Sequence, residues 1–270
     1  MMQEGFHKGL VAYFDILGFT SIAASEDIVK SAGLVEDALL TIPSEVRKEA
    51  DRKRGPGNLH RVDTHAMIFA DSILLWHSLP DAELGEPYHW HFFLSVCSWF
   101  MRRMFEGGLP LRGAVSSGEY FIKEHCFVGK PITDCHDLAG KTEWAGCVIA
   151  PNAAAELEKF HPEWKRILET VCVPYRVPFK KERHPRRKSA QSLVLKWHHY
   201  EILHSSGPMP DIGETVRRTF GDHGKKFRAT DESVALKIGN TVKYLEFVST
   251  LYVNSNQKMP KRLRQKLQSS

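Results

Sequence analysis

Two aspartates break apolar, β-forming runs, and their surroundings suit cation-assisted phosphate chemistry. In the first run Asp15 separates Val11–Phe14 from Ile16 and Leu17. A carboxylate in such a strand is costly unless a cation or hydrogen-bond donors meet it. Gly18 then lets the chain turn, and Thr20 or Ser21 supplies a cap for a following helix. An acid at a strand end, followed by a glycine turn into a helix N-terminus, suits a metal-bound polyphosphate. The acid holds the cation, and the backbone amides of Leu17, Gly18, Phe19 and Thr20 face the phosphates. Asp71 repeats the pattern within Thr64–Trp76, flanked by the small residues Ala70 and Ser72. One such acid also fits a turn or a cap. Two carboxylates at adjacent strand ends are what two-metal phosphoryl chemistry requires.

The elements that must hold these acids follow from periodicity. Residues 1–8 lead into a strand ending near Asp15, and Ser21 to Arg52 reads as helical, broken at Pro43. Residues 54–58 form a turn cluster before the Asp71 strand. There a period of two puts His65, Met67, Phe69 and Asp71 on one face. Glu86 to Glu106 is a helix with a core stripe from Trp90 to Met104, closed by Gly107 and Gly108. Strands are expected at Leu111–Ser117 and Glu119–Phe121, then a helix from Lys130 to Ala139. A strand at Cys147–Ala150 and a helix at Asn152–Phe160 come next. Val171–Phe179 and Ser192–Trp197 are strand-like and bracket a basic loop. Beyond residue 200 the chain is helical. Thr230 or Asp231 caps a long helix with the stripe Val234, Ile238, Leu245, Val248 and Tyr252. The division expected is a domain over residues 1–200 and a helical extension over 201–270, packed on the same domain.

Composition narrows the class. The chain of 270 residues has a net charge of +5, concentrated at residues 180–188 and 261–266. Those runs lack interleaved aromatics and read as solvated loops, so no stable nucleic-acid partner is expected. The five cysteines are odd in number and include no Cys-x-x-Cys pair, which argues against a disulfide framework or a zinc site. Apolar runs are too short to span a bilayer and no signal peptide precedes the first strand. A cytoplasmic enzyme with no membrane partner is the expectation.

Phe14–Thr20 resembles the Phe-x-Asp-Ile-x-Gly-Phe-Thr signature of class III nucleotidyl cyclases. Ile68–Asp71 is similar to their second metal-acid motif, Leu111–Glu119 to their Arg-x-Gly strand, and Val128–Ile132 to the start of the helix with their catalytic pair. The four occur in the family's order over roughly residues 8–150. The resemblance implies an α+β fold, a ferredoxin-like palm with an antiparallel-centred sheet and helices on one face. It also implies two divalent cations per site (Mn2+ or Mg2+), held by Asp15, Asp71 and the Ile16 carbonyl. A homodimer is implied, in which one subunit supplies the acids and the other the helix after Gly129.

Departures from the family refine this. Its purine readers carry a lysine where this chain has Met67, and their Asn-x-x-x-Arg pair falls on Thr133 and Asp137. Asp137 cannot replace an arginine. Either Lys130, Arg112 or the basic loop supplies the missing charge, or the chain is not a cyclase. The short form and the Phe14–Phe19 version of the signature resemble the pyrimidine cyclases of Pycsar anti-phage systems. That branch implies cyclisation of UTP, taken ahead of CTP, and signalling to a cyclic-nucleotide effector. His65 and Met67 then border the base. The alternatives are a catalytically silent module that binds nucleotide as a sensor or dimerisation unit, a metal-dependent phosphodiesterase or nuclease, and a nucleic-acid binder.

Overall fold

The computed structural model describes residues 5–19, 33, 36, 44, 64–79, 86–123, 126–180, 189–198, 211–221 and 232–258. Thr20, the expected caps at Ser21, Thr230 and Asp231, the turn cluster at 54–58 and the basic runs at 181–188 and 261–266 lie outside them. So does the helix expected over 21–52, apart from helical positions 33, 36 and 44.

One mixed sheet organises the described residues. Its strands are β1 (Gly5–Ile16), β2 (Thr64–Phe69), β3 (Ser72–Leu79), β4 (Leu111–Lys123), β5 (Cys126–Val128), β6 (Gly146–Ile149), β7 (Cys172–Pro178) and β8 (Ser189–Leu195). They lie in the order β2-β3-β1-β4-β6-β8-β7, with β5 paired to β4. The β2-β3-β1-β4 part is antiparallel throughout, and β6 joins β4 in parallel. This is the α+β fold with an antiparallel-centred sheet that the resemblance implies. The two strands expected between 111 and 121 are one continuous β4. Gly118, at φ 145, carries the chain through the position where a break was expected.

Alternation along β1 divides the molecule into two faces. Leu10, Ala12, Phe14 and Ile16 enter the main core, whereas Val11 joins a smaller cluster with Leu74, Trp76, Tyr120 and Ile122. Helix α1 (Pro87–Glu106) covers the first face, its Phe100 ring lying 5.6 Å from that of Phe14. Its buried stripe of Trp90, Phe93, Leu94, Cys97, Phe100, Met101 and Met104 is the one read from the sequence. Each such side chain contributes about 1.5–3 kcal/mol on burial.

Helix α2 (Lys130–Lys141) covers the opposite face. Ile132 packs into the Val11 cluster, the Cys135 thiol donates to the Val11 carbonyl, and His136 meets the Tyr13 ring edge-on at 5.2 Å. The expectation of helices on one face is therefore corrected. Val11, Tyr120 and Ile122 are apolar on the second face too, and that surface has to be covered.

Helix α3 (Pro151–Leu157) lies where a helix was expected over Asn152–Phe160, and a second short helix, α4 (Pro162–Leu168), follows it where none was expected. Helices α5 (Ile212–Gly221) and α6 (Glu232–Lys258) close the described chain. Leu245 and Val248 of α6 are buried in the main core with Tyr244, which stacks edge-on against Trp144 and donates to the Leu195 carbonyl. Thr241 accepts from the Ala145 amide, and Asn240 donates to the Glu143 carbonyl. No helix among the described residues is long and apolar enough to cross a membrane.

Candidate functional site

Three strand ends converge on Asp15. In register it stands opposite Ser72 of β3 on one side and Arg112 of β4 on the other. Asp71 occupies the two-residue connection between Phe69 and Ser72, just beyond β2. The Ile16 amide donates to the Asp71 carbonyl at 2.9 Å, tying the end of β1 to that connection. Ala70 beside it adopts φ 53, and among the described residues it is the one non-glycine with a positive φ. Beyond Ile16 the chain turns at Gly18, at φ 79, a conformation that glycine adopts at little cost.

The two carboxylates meet there. Arg112 directs Nε and Nη2 at the same Asp15 oxygen, Oδ2, at 2.7 and 2.5 Å. Burial is the largest influence on the Asp15 carboxyl and raises its pKa. Arg112 opposes this by charge and hydrogen bonding, while the charge of Asp71 and a side-chain hydrogen bond shared with it raise the pKa further. The balance lies above the ordinary carboxylate value. Two acids against one guanidinium leave an excess of negative charge, and their oxygens are the hard donors that Mg2+ and Mn2+ prefer. The residues therefore fit a divalent cation. No group of three or more His, Cys, Asp or Glu side chains able to hold a metal exists among the described residues.

Sequence reasoning missed three neighbours. The Tyr13 hydroxyl shares a 2.7 Å hydrogen bond with the Ser72 hydroxyl. Burial raises the Tyr13 pKa, Ser72 lowers it, and the nearby charges of Asp15 and Asp71 raise it again, so the phenol is neutral. His136 packs against its ring. Tyr13 was legible as the same-face neighbour two places before Asp15, and Ser72 as the residue after Asp71. Nothing local marks His136.

The other expected residues divide by position. His65, Met67 and Phe69 are registered opposite Trp76, Leu74 and Ser72, on the face that carries Val11, Tyr13 and Asp15. His65 stacks on Trp76 with centroids 5.3 Å apart, Met67 packs on the Val11 cluster, and the Phe69 side chain is 73% exposed. The Leu17 amide donates to the Pro110 carbonyl at 2.9 Å, so it is already engaged. Gly18 and Phe19 are partly exposed in the turn.

Lys130 and Thr133 lie elsewhere. Lys130 pairs with both Asp134 oxygens at 2.7 Å, and the Thr133 hydroxyl donates to the Gly129 carbonyl. A methyl group on Gly118 would touch Pro131 at 3.0 Å, which puts the start of α2 beside Gly118 and its register partner Gly9. Gly9 precedes Asp15 by six residues of extended strand, about 20 Å. Within one chain these two residues do not join the acids.

No protein-family model matches the chain, and no curated protein matches it in sequence. Solved structures similar to it include a class III adenylyl cyclase-like ATP-binding protein from Pseudomonas aeruginosa, at 12% identity and TM-score 0.47 over 60% of this chain. The chain spans 37% of that protein's length. The catalytic core of a rhodopsin-guanylyl cyclase with converted specificity, in complex with ATPαS, is similar at 12% identity and TM-score 0.46, over 72% of this chain and 98% of that one. The guanylyl cyclase domain of the RhoGC fusion protein from Blastocladiella emersonii is similar at 12% identity and TM-score 0.45, with the same coverage.

Proposed function

We propose that the chain is a divalent-cation-dependent nucleotidyl cyclase that converts a pyrimidine nucleoside triphosphate, UTP ahead of CTP, to its 3′,5′-cyclic monophosphate and pyrophosphate. The observation that carries this reading is the meeting of the Asp15 and Asp71 carboxylates at one sheet end, beside a glycine turn. Asp15, Asp71 and the Ile16 carbonyl would hold the cations, up to two of Mn2+ or Mg2+. Cations bound there supply acidity to the ribose 3′-hydroxyl and positive charge to the α-phosphate. The amides of Gly18 and Phe19 would receive the outer phosphates, and the neutral Tyr13–Ser72 hydroxyl pair offers a donor beside them. Met67 faces the base with a thioether where a purine would require a donor. A buried purine edge left without its partner loses about 1–3 kcal/mol.

The separation of Lys130 and Thr133 from Asp15 supports a composite site in a homodimer, completed by α2 of the second subunit. Mixing Asp15→Ala with Lys130→Ala chains then restores activity through one intact site per heterodimer. Inactivity of the mixture, with subunit exchange demonstrated, counts against it. The cyclic product would signal to a separate effector in the cytoplasm, as in anti-phage defence.

The deciding experiment is incubation with each of UTP, CTP, ATP and GTP plus Mn2+ or Mg2+, with mass detection of cyclic products. A cyclic purine as the main product refutes the pyrimidine assignment. One observation favours a second reading. Asp137 stands where the family has arginine, and Arg112 is committed to Asp15. Nucleotide binding without any cyclic product would make the chain a silent sensor or dimerisation module.

A further inference from the structure

Arg112 and Asp15 are 97 positions apart in sequence and directly opposite each other across β1 and β4. Both side chains are about one-sixth exposed, at 17% and 16%, so this is not a solvated rim pair. The geometry is unusual for arginine and carboxylate. Nε and Nη2 converge on Oδ2 alone rather than dividing between the two oxygens, which leaves Oδ1 outside the fork. The backbone of Arg112 is paired on both sides, to Asp15 and to Gly146, so only its side chain is able to move. A guanidinium does not deprotonate near neutral pH and leaves such a site only by displacement.

Two cations shared between two carboxylates would draw on both oxygens of Asp15, including the one Arg112 occupies. A first cation meets Asp71 and the outer oxygen of Asp15, whose contact is with each other and not with the guanidinium. A second must take Oδ2 against a fixed positive charge that already holds it. We infer that Arg112 is a latch on the cation site: it admits one divalent cation and keeps a second from Asp15 until an anionic triphosphate draws the guanidinium away. The phosphate oxygens offer the released side chain a bidentate partner as good as the one it leaves. Arg112 is in this sense a positioning residue that makes full metal loading depend on substrate. The inference rests on the proposed cation site, and its test separates the two.

The test is titration of the purified protein with Mn2+ alone, counting bound ions from the free-Mn2+ paramagnetic resonance signal. Wild type is expected to bind one Mn2+ per chain. Arg112→Met is expected to bind two, the second at least about tenfold more tightly than in wild type. Arg112→Lys keeps a cation beside Asp15 and should stay at one. Two ions in wild type, or no gain in Arg112→Met, overturns the latch while leaving the cation site intact. No Mn2+ binding in any of these proteins overturns the cation site itself, and the cyclase reading with it. Circular dichroism melts report whether each variant is folded. If Arg112→Met fails to fold, Arg112→Gln, which retains a neutral donor for Asp15, takes its place with the same expected gain. A cross-strand pair with a purely structural role would change melting and leave the ion count unchanged.

Discussion

Replacing Ala70 probes the turn that presents Asp71, and its effect is predictable in sign and size. Ala70 sits at φ 53 on the exposed two-residue connection between Phe69 and Ser72. An L residue held in that region costs about 1–2 kcal/mol relative to its ordinary conformations. Glycine removes the steric penalty but adds about 0.4–1 kcal/mol of chain entropy in the unfolded state. No buried methyl is lost, because Ala70 is exposed. Ala70→Gly should therefore stabilise by about 0.5–1 kcal/mol, seen as roughly 1–4 °C in Tm. Ala70→Val adds a β-branch at the same φ and should lose about 1 kcal/mol relative to alanine. The assay is urea denaturation of the three proteins, with equal m-values required so that the midpoints compare like states. The order glycine, alanine, valine is the expected result. A glycine variant less stable than wild type would show that the left-handed conformation is not where the strain lies. If Ala70 preorganises Asp71, the glycine variant should also bind Mn2+ about 2–5-fold more weakly, the same entropy now opposing binding.

Gly113→Ala would bring a Cβ to 2.4 Å from Phe14 Cδ1 and 2.6 Å from the Tyr13 carbonyl oxygen, beside the acid. It should destabilise by about 2–3 kcal/mol, or roughly 5–10 °C in Tm; an unchanged melt would mean that β1 and β4 are farther apart than described. Asp15 has a folded pKa above its ordinary 3.8, so the folded state binds its proton more tightly than the unfolded chain does. In metal-free protein its contribution to stability is therefore greatest at low pH and falls as pH rises from 3.8 through the raised value. Asp15→Asn should flatten that segment of the stability–pH curve, and a steeper curve in the variant would reverse the assigned cause. Met67→Lys should move the kcat/KM ratio toward ATP and GTP relative to UTP and CTP; unchanged ratios in it and in His65→Ala would remove both residues from the base pocket.

The acids were legible because a charge in an apolar, alternating run is conspicuous wherever the run lies. The same holds for the α1 stripe and for the turn glycine at position 18, whose demands are local. What could not be read was anything set by register across distant strands. That Arg112 faces Asp15 depends on how β4 slides along β1, and a shift by one residue would send it to the other face. The Tyr13–Ser72 bond depends on the β1–β3 register in the same way. Helix α2 was expected correctly from Lys130, but its choice of face is decided by where uncovered apolar surface remains. In α6 the stripe named Leu245 and Val248, while Thr241 and Tyr244 anchor the helix through backbone atoms of β8 and of the segment before β6. Neither anchor has a sequence signature.

The central place of β1 has a consequence during synthesis. Leu10 to Phe14 leave the ribosome before either of their two neighbours, β3, which starts at Ser72, and β4, which starts at Leu111. At ribosomal rates one edge of the strand waits roughly 3–12 seconds for β3 and the other roughly 5–20 seconds for β4. Such a segment is a template for pairing with another copy of itself. Lys8 and Asp15 bracket it, and charges in those positions discourage that association. The aspartate proposed to hold a cation in the finished protein thus also guards a nascent strand before any site exists.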